Sequence, residues 1–240
     1  MATNNLRIVY ANKLTAATGG STPQNLLTDY KSQTSTATTF TLTTSSLTGK
    51  VAVVAMLSET TSSVTMTVNS TSTTESTTST ISSSASIGYG GGKYVVVYLT
   101  LAAATTSFTV TFNTSVKVSR FIVGNYWSPT YNTSFGISVG YEDQSSTERL
   151  QGGDLYTTSG PRHKTMSFDL QYVTDSEKFF LFDLVKQLGK SKAIFVSAFP
   201  EDSDKEREQM YSIYGKFSSL PQISYAMFTK YTSSLQLEEI

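Results

Sequence analysis

The chain has 240 residues, 38% of them apolar, with 18 basic and 18 acidic side chains and a formal net charge of zero. That balance argues against a general binder of nucleic acid or of an anionic membrane, since both need a basic excess. No apolar run approaches the ~20 residues of a membrane-spanning helix, so neither a nucleic-acid partner nor membrane insertion is expected. There is no cysteine, which excludes disulfide scaffolds, thiolate zinc sites and thiol nucleophiles, and the single histidine, His163, cannot by itself build a site of several imidazoles.

Charge is unevenly distributed. Residues 1–120 carry seven Lys or Arg and three acids, leaving 11 and 15 for the remainder, and 14 of the 18 residues from Asn69 to Ser86 are Ser or Thr. The opening Met1-Ala2-Thr3-Asn4-Asn5 lacks the apolar core of a signal peptide, so secretion by that route is not expected. The first half then reads as strand and loop. Thr38–Leu42 alternates weakly, Lys50–Leu57 is a short apolar run, and Val64, Met66 and Val68 share one face of a half-buried strand. Tyr94–Leu101, Ser107–Phe112 and Val116–Val123 follow as further strands. Several short strands between polar loops predict an antiparallel sandwich or jelly roll. The Ser/Thr tract reads as a long loop or solvated edge strands rather than a disordered linker, because it lies between alternating strands and Thr favours β structure.

Gly124, Pro129 and two asparagines interrupt the pattern near Asn125–Asn132, which divides the chain into 1–126 and 127–240. In the second part Gly136–Tyr141, Arg149–Tyr156 and His163–Tyr172 read as strands, the last with Met166, Phe168 and Leu170 in register. Thr174-Asp175-Ser176-Glu177 fits a capping box. Phe180, Leu184 and Leu188 then recur at helical spacing, Phe182 and Val185 broaden the stripe, and Gly189 follows as a C-terminal cap. A strand over Ala193–Phe199, a charged loop over Pro200–Glu208 and strands near Met210–Phe217, Ile223–Phe228 and Ser234–Leu237 complete an α+β pattern with one helix. The expected fold class is mainly β.

No segment displays an obvious catalytic constellation. Gly88-Tyr89-Gly90-Gly91-Gly92-Lys93 evokes a phosphate loop, but Lys93 precedes Tyr94 rather than Ser or Thr and leads into a strand, so a flexible turn is the better reading. His163 with Ser159 or Ser167 could serve a hydrolase, yet no nucleophile-elbow pattern accompanies it. Asp202 and Asp204 could offer oxygens to calcium, without the twelve-residue loop and its glycine. Glu142, Asp143 and Asp154 could approach as paired carboxylates, although nothing selects them over surface charge. Tyr126, Trp127 and Tyr131 form the aromatic group best suited to stack on a glycan or anchor an interface, the plainer reading being a hydrophobic plug between the two parts. No catalytic, cofactor-binding or metal-ligating residue is assigned.

The order Asn25-Leu26-Leu27-Thr28-Asp29, Leu47 to Leu57, Arg120-Phe121-Ile122-Val123-Gly124-Asn125-Tyr126-Trp127-Ser128-Pro129, Gln151-Gly152-Gly153, the capped helix, Ala193–Pro200 and Ile213-Tyr214-Gly215-Lys216-Phe217 resembles a group of small tail-tip (distal tail-like) proteins of long-tailed bacteriophages. The resemblance implies a galactose-binding-like jelly roll over 1–126 and a tail-tube-like assembly domain over 127–240. It further implies a non-enzymatic virion protein made in the host bacterial cytoplasm, a homo-oligomeric ring of the tail tip or baseplate that links the tail tube to host-facing parts. Its expected neighbours are other tail proteins: tail tube, tape measure and hub. Cysteine-free composition suits assembly in a reducing cytoplasm. The alternative function is a carbohydrate-binding module for host-surface glycans, and the weaker one a hydrolase.

Overall fold

A computed structural model describes residues 5–28, 30, 32–59, 63–70, 73–80, 93–133, 136–227 and 230–240. The first half opens with β1 (Arg7–Val9), β2 (Leu14–Thr18) and a 3-10 turn over Pro23–Leu27. It is dominated by β3 (Ser35–Glu59) and β6 (Lys93–Trp127), with β4 (Ser63–Asn69) and β5 (Thr74–Thr80) between them in sequence. Short runs separated by polar residues in the sequence are thus continuous strands. Thr and Ser at the joins accept extended backbone, and no proline interrupts either strand.

The two long strands wrap around each other. Ser35–Thr43 pairs with Ser107–Val118, whereas the later part of β3 is flanked on one side by Lys93–Leu101 and on the other by Val118–Asn125. The register shifts between Thr43, Leu47 and Gly49, where Gly49 adopts φ +71°, a left-handed conformation that bends the strand from one layer into the other. The result is a mainly β, antiparallel sandwich. Its core holds Phe40, Leu42, Val53, Leu57, Met66, Val97, Phe108, Val110 and Phe121.

The apolar run in β3 does not alternate because both of its faces are covered. Val51, Val53, Ala55 and Leu57 point into the sandwich. Ala52, Val54 and Met56 point the other way, against Tyr94, Val96, Ile122, Phe195 and Tyr214. That second cluster joins the two halves of the chain.

The second half comprises β7 (Ser138–Asp143), β8 (Ser146–Arg149), β9 (Leu155–Thr158), β10 (Arg162–Val173), α1 (Asp175–Leu188), β11 (Ile194–Ser197), α2 (Lys205–Met210), β12 (Ser212–Ser219), β13 (Ile223–Met227) and β14 (Lys230–Glu239). Among the described residues one sheet runs through both halves, in the order β2-β3-β6-β1-β11-β12-β14-β10-β7. The bridge is β1, which pairs with Tyr126 and Trp127 of β6 on one side and with β11 on the other. Leu6 and Ile8 consequently lie in the second half's core with Met166, Phe168, Leu170, Val196, Ile213, Leu235 and Leu237. At the crossing Gly124 approaches the Ala11 carbonyl so closely that a Cβ would sit 1.9 Å from its oxygen.

Several expectations are corrected. Arg149–Tyr156 is not one strand: Leu150–Gly153 turns and the segment is a β8–β9 hairpin. Within the charged loop Asp204 accepts from the Glu206 and Arg207 N–H groups and starts the short helix α2, because an N-cap carboxylate satisfies the free amides of a first turn. On α1 the buried stripe is Leu181, Leu184 and Leu188, while Phe182 is 63% exposed. Phe180 lies at the edge of that stripe, packed against the core. Thr74–Thr80 of the Ser/Thr tract is an edge strand on β4, and the rest of the tract from 81 onward, with the Gly88–Gly92 turn, lies outside the described residues.

Candidate functional site

The aromatic group is separated by the pleat of β6, since Tyr126 and Trp127 are consecutive and face opposite ways. Tyr126 meets Tyr98 edge-on at 5.2 Å. The Arg7 guanidinium lies 4.0 Å from the Tyr98 ring centre and 5.0 Å from that of Tyr126, and also binds Glu201 at 2.7 Å. Trp127 stacks on Phe180 at 5.4 Å with the planes 24° apart, and Phe180 also takes the edge of Tyr10 at 5.2 Å. Both residues therefore knit the first half to the second. Tyr131 is 50% exposed, placed edge-on to Tyr172 at 6.0 Å, with the Lys230 ammonium 4.6 Å from its ring centre.

The segment between these aromatics is braced from two directions. The Asn5 amide donates to the carbonyls of Pro129 (2.8 Å) and Thr130 (3.2 Å), and the Leu6 N–H donates to Asn132 Oδ1 at 3.0 Å. The Thr130 N–H donates to Glu177 Oε1 at 2.7 Å, while the other oxygen of Glu177 accepts from the Thr174 N–H (2.9 Å) and hydroxyl (2.7 Å). Burial pushes the Glu177 carboxyl up, but the hydrogen bonds from Thr174 and Thr130 outweigh it and hold the group below its ordinary value. The capping glutamate thus also ties the inter-half segment to α1.

A buried polar node lies at the junction of β6, β10, α2 and β14. The Lys164 ammonium donates to the carbonyls of Gln209 (3.1 Å) and Ser212 (2.8 Å). Burial pushes its pKa down to about 8, against an upward pull from Glu239. The Glu239 carboxylate accepts from the Lys164 N–H (3.2 Å) and from the Tyr94 hydroxyl (3.3 Å), and that hydroxyl accepts from the Tyr214 N–H (3.2 Å). The Gln209 side chain spans the edge of β6 at Tyr94, accepting from its N–H at 2.8 Å and donating back to its carbonyl. Burial, then the Glu239 charge, push the Tyr94 phenol far up. This node ties the first half, through Tyr94, to the second. It was legible in part: Lys164 is in phase with Met166, Phe168 and Leu170 on the inward face of β10.

The remaining candidates are dispersed. His163 Nε2 lies 3.4 Å from Glu142 and 3.3 Å from Glu238, on the strands either side of β10. Ser167 is four residues further along β10, about 13 Å at 3.3 Å per residue, out of reach of a nucleophile–base pair. Asp143 accepts from the Ser145 hydroxyl (2.5 Å) and from Arg162 Nε (2.7 Å), which hold its pKa down at about 2. Asp154 lies beyond the β8–β9 turn, and Glu142 and Asp143 are neighbours on opposite faces of β7. Asp202 grips Arg207 at 2.5 and 2.8 Å, and Asp204 caps α2. Among the described residues no group of three or more His, Asp or Glu has the geometry to hold a metal ion.

Sequence reading missed a polar groove of about 530 Å³ on the sheet face opposite α1, lined by Asp169, Gln171, Gln222, Ser224, Ser234 and Gln236. Alternation along β10 and β14 was its only sequence signal. Compared with known proteins, the chain matches no family model, and a search of curated proteins finds no match.

Proposed function

We propose that the chain is a structural, non-enzymatic subunit of a bacteriophage tail tip or baseplate, a repeated building block of a ring that joins the tail tube to host-facing parts. One observation carries the reading beyond the motif order: where β10 and β14 lie, the sheet of the second half is covered on one side only. Leu181, Leu184 and Leu188 of α1 seal the inner face of β10 and β14, while Asp169, Gln171, Ser234, Gln236 and Glu238 leave the outer face polar and exposed. A sheet with one hydrated face and one helix-backed face can line a water-filled channel while its edges and loops meet neighbours, which is what a ring-forming unit requires. The buried node at Lys164 and Glu239 supports the same role, since it holds the sandwich at a fixed angle to that sheet.

The test is the assembly state. Light scattering and negative-stain imaging of the purified chain, alone and with the products of adjacent tail genes, are expected to reveal rings. A chain that stays monomeric at its highest soluble concentration and binds none of those products would overturn the proposal.

A further inference from the structure

The hairpin β8–β9 carries an unusual surface. All eight of its strand residues are exposed, including Leu155 at 62% and Tyr156 at 57%, and Leu150 beside the turn is 53% exposed. A two-stranded ribbon is marginal in water unless one of its faces is covered. Glu148 lies opposite Tyr156, and the Leu150 N–H donates to the Asp154 carbonyl at 2.9 Å, which extends the ladder by one step. Strand alternation then places Glu148, Leu150, Asp154 and Tyr156 on one face, each apolar group opposite a carboxylate.

A second exposed surface lies at the far end of β10, where α1 begins. It is built from Tyr131 (50% exposed), Tyr172 (48%), Phe179 (65%) and Tyr225 (62%), with Lys178 and Lys230 among them. The Lys178 ammonium pairs with Asp175 at 2.7 Å and lies 5.0 Å from the Phe179 ring centre and 4.1 Å from that of Tyr231, and Tyr231 packs on Tyr225 at 5.3 Å. Exposed aromatic surface of this kind marks interaction sites, and aromatic anchors carry much of the binding energy at interfaces.

The hairpin cannot fold back onto this patch. It leaves the sheet at Arg162, where the Gln144 N–H to Pro161 carbonyl bond continues the β7–β10 ladder outward. Tyr172 is ten residues further along β10, about 33 Å at 3.3 Å per residue. Two unlike surfaces, one acidic and apolar and the other aromatic and lysine-bearing, thus sit at opposite ends of one strand.

We propose that the Leu150–Tyr156 face of one copy docks on the Phe179–Tyr225 patch of a second copy of this chain. The contact is head-to-tail, with the hairpin's carboxylates, Glu148 and Asp154, set against Lys230 beside Tyr131 to fix its register. It rests on the ring-forming reading and names the surfaces that reading requires.

Sedimentation velocity on the full chain tests it with two variants at exposed positions: Leu150→Ser with Tyr156→Ser, and Phe179→Ser with Tyr225→Ser. Unchanged circular dichroism and melting establish that each remains folded. Each alone is expected to lose self-association by at least about 100-fold, the equivalent of about 2.7 kcal/mol. Their equimolar mixture is expected to form a 1:1 dimer and nothing larger, because each supplies one intact surface. If either variant assembles like the wild type, or the mixture stays monomeric, the contact is refuted while the ring reading stands. A monomeric wild type refutes the contact, and the ring reading falls with it when that monomer also binds none of the adjacent tail-gene products.

Discussion

Lys164 makes the stability of this protein depend on pH with an unusual sign. In the unfolded chain a lysine holds its proton up to about pH 10.5, whereas the folded Lys164, pushed down by burial, releases it near a pKa of about 8. The difference corresponds to about 3 kcal/mol of burial cost carried at neutral pH. Between the two values the unfolded state binds more protons, so stability rises with pH; below the folded value both states are protonated and the cost is constant. From about pH 9 upward the buried Tyr94, Tyr98 and Tyr214, whose phenols burial raises, oppose and then reverse the trend, because the unfolded phenols ionise first. Urea unfolding followed through the fluorescence of Trp127 is therefore expected to gain about 1 kcal/mol from pH 7 to pH 9, below the range in which the tyrosines ionise. Lys164→Met keeps most of the stem and removes the charge, so its profile over that range is expected to be flat. At pH 7 the relief of burial cost is offset by loss of the ammonium's two charge-assisted hydrogen bonds, to the carbonyls of Gln209 and Ser212, at about 1.5–3 kcal/mol each, so the net change is small. A wild-type profile without the rise, or the same rise in Lys164→Met, would refute the reasoning.

Two further substitutions test the join between the halves. Glu177→Ala removes the glutamate half of the capping box and the acceptor for the Thr130 N–H, and is expected to cost about 2 kcal/mol in urea unfolding and to speed exchange of the Thr130 amide. Because the Glu177 carboxyl is held below its ordinary value, the wild-type contribution is present above that value and is lost as pH falls through the folded one, a loss the variant should not display. Gly124→Ala drives a Cβ to 1.9 Å from the Ala11 carbonyl oxygen, whereas Gly49→Ala meets open space at φ +71°. Gly124→Ala is expected to cost about 3 kcal/mol or more and Gly49→Ala about 1 to 2, and a reversed order in melting temperatures would contradict the close approach of β6 to the first strand's exit.

Local pattern was a sound guide where a segment's neighbours impose little. Thr174 to Gly189 carries its start signal, stop signal and apolar spacing within 16 residues, and the helix forms there. Spacing alone could not decide between Leu181 and Phe182 as the buried member, because both lie within one turn of Leu184. The sheet beneath α1 selects Leu181 and leaves Phe182 in water. Arg149–Tyr156 misled for a related reason: its residues favour extended backbone on either side of Gly152-Gly153, and whether a glycine pair bends or turns depends on pairing across it.

The candidate site was less legible than the fold. Tyr126, Trp127 and Tyr131 are close in sequence, yet the pleat sends the first two to opposite cores and leaves the third outside. Lys164, Gln209 and Glu239 are far apart in sequence and meet only because α2 folds back over β6 and β14.

Composition and periodicity by themselves determined that the chain is mainly β, that a capped helix lies between strands of its second half, and that one copy supplies no thiol and a single histidine. These properties depend on residue type and local spacing, which the chain carries wherever it folds. Only the tertiary structure decided that β3 and β6 wrap around each other, that β1 closes one sheet across both halves, and that a lysine is buried at their junction. Each of these depends on pairing between residues distant in sequence, and burial is a property of what covers a side chain rather than of the side chain itself.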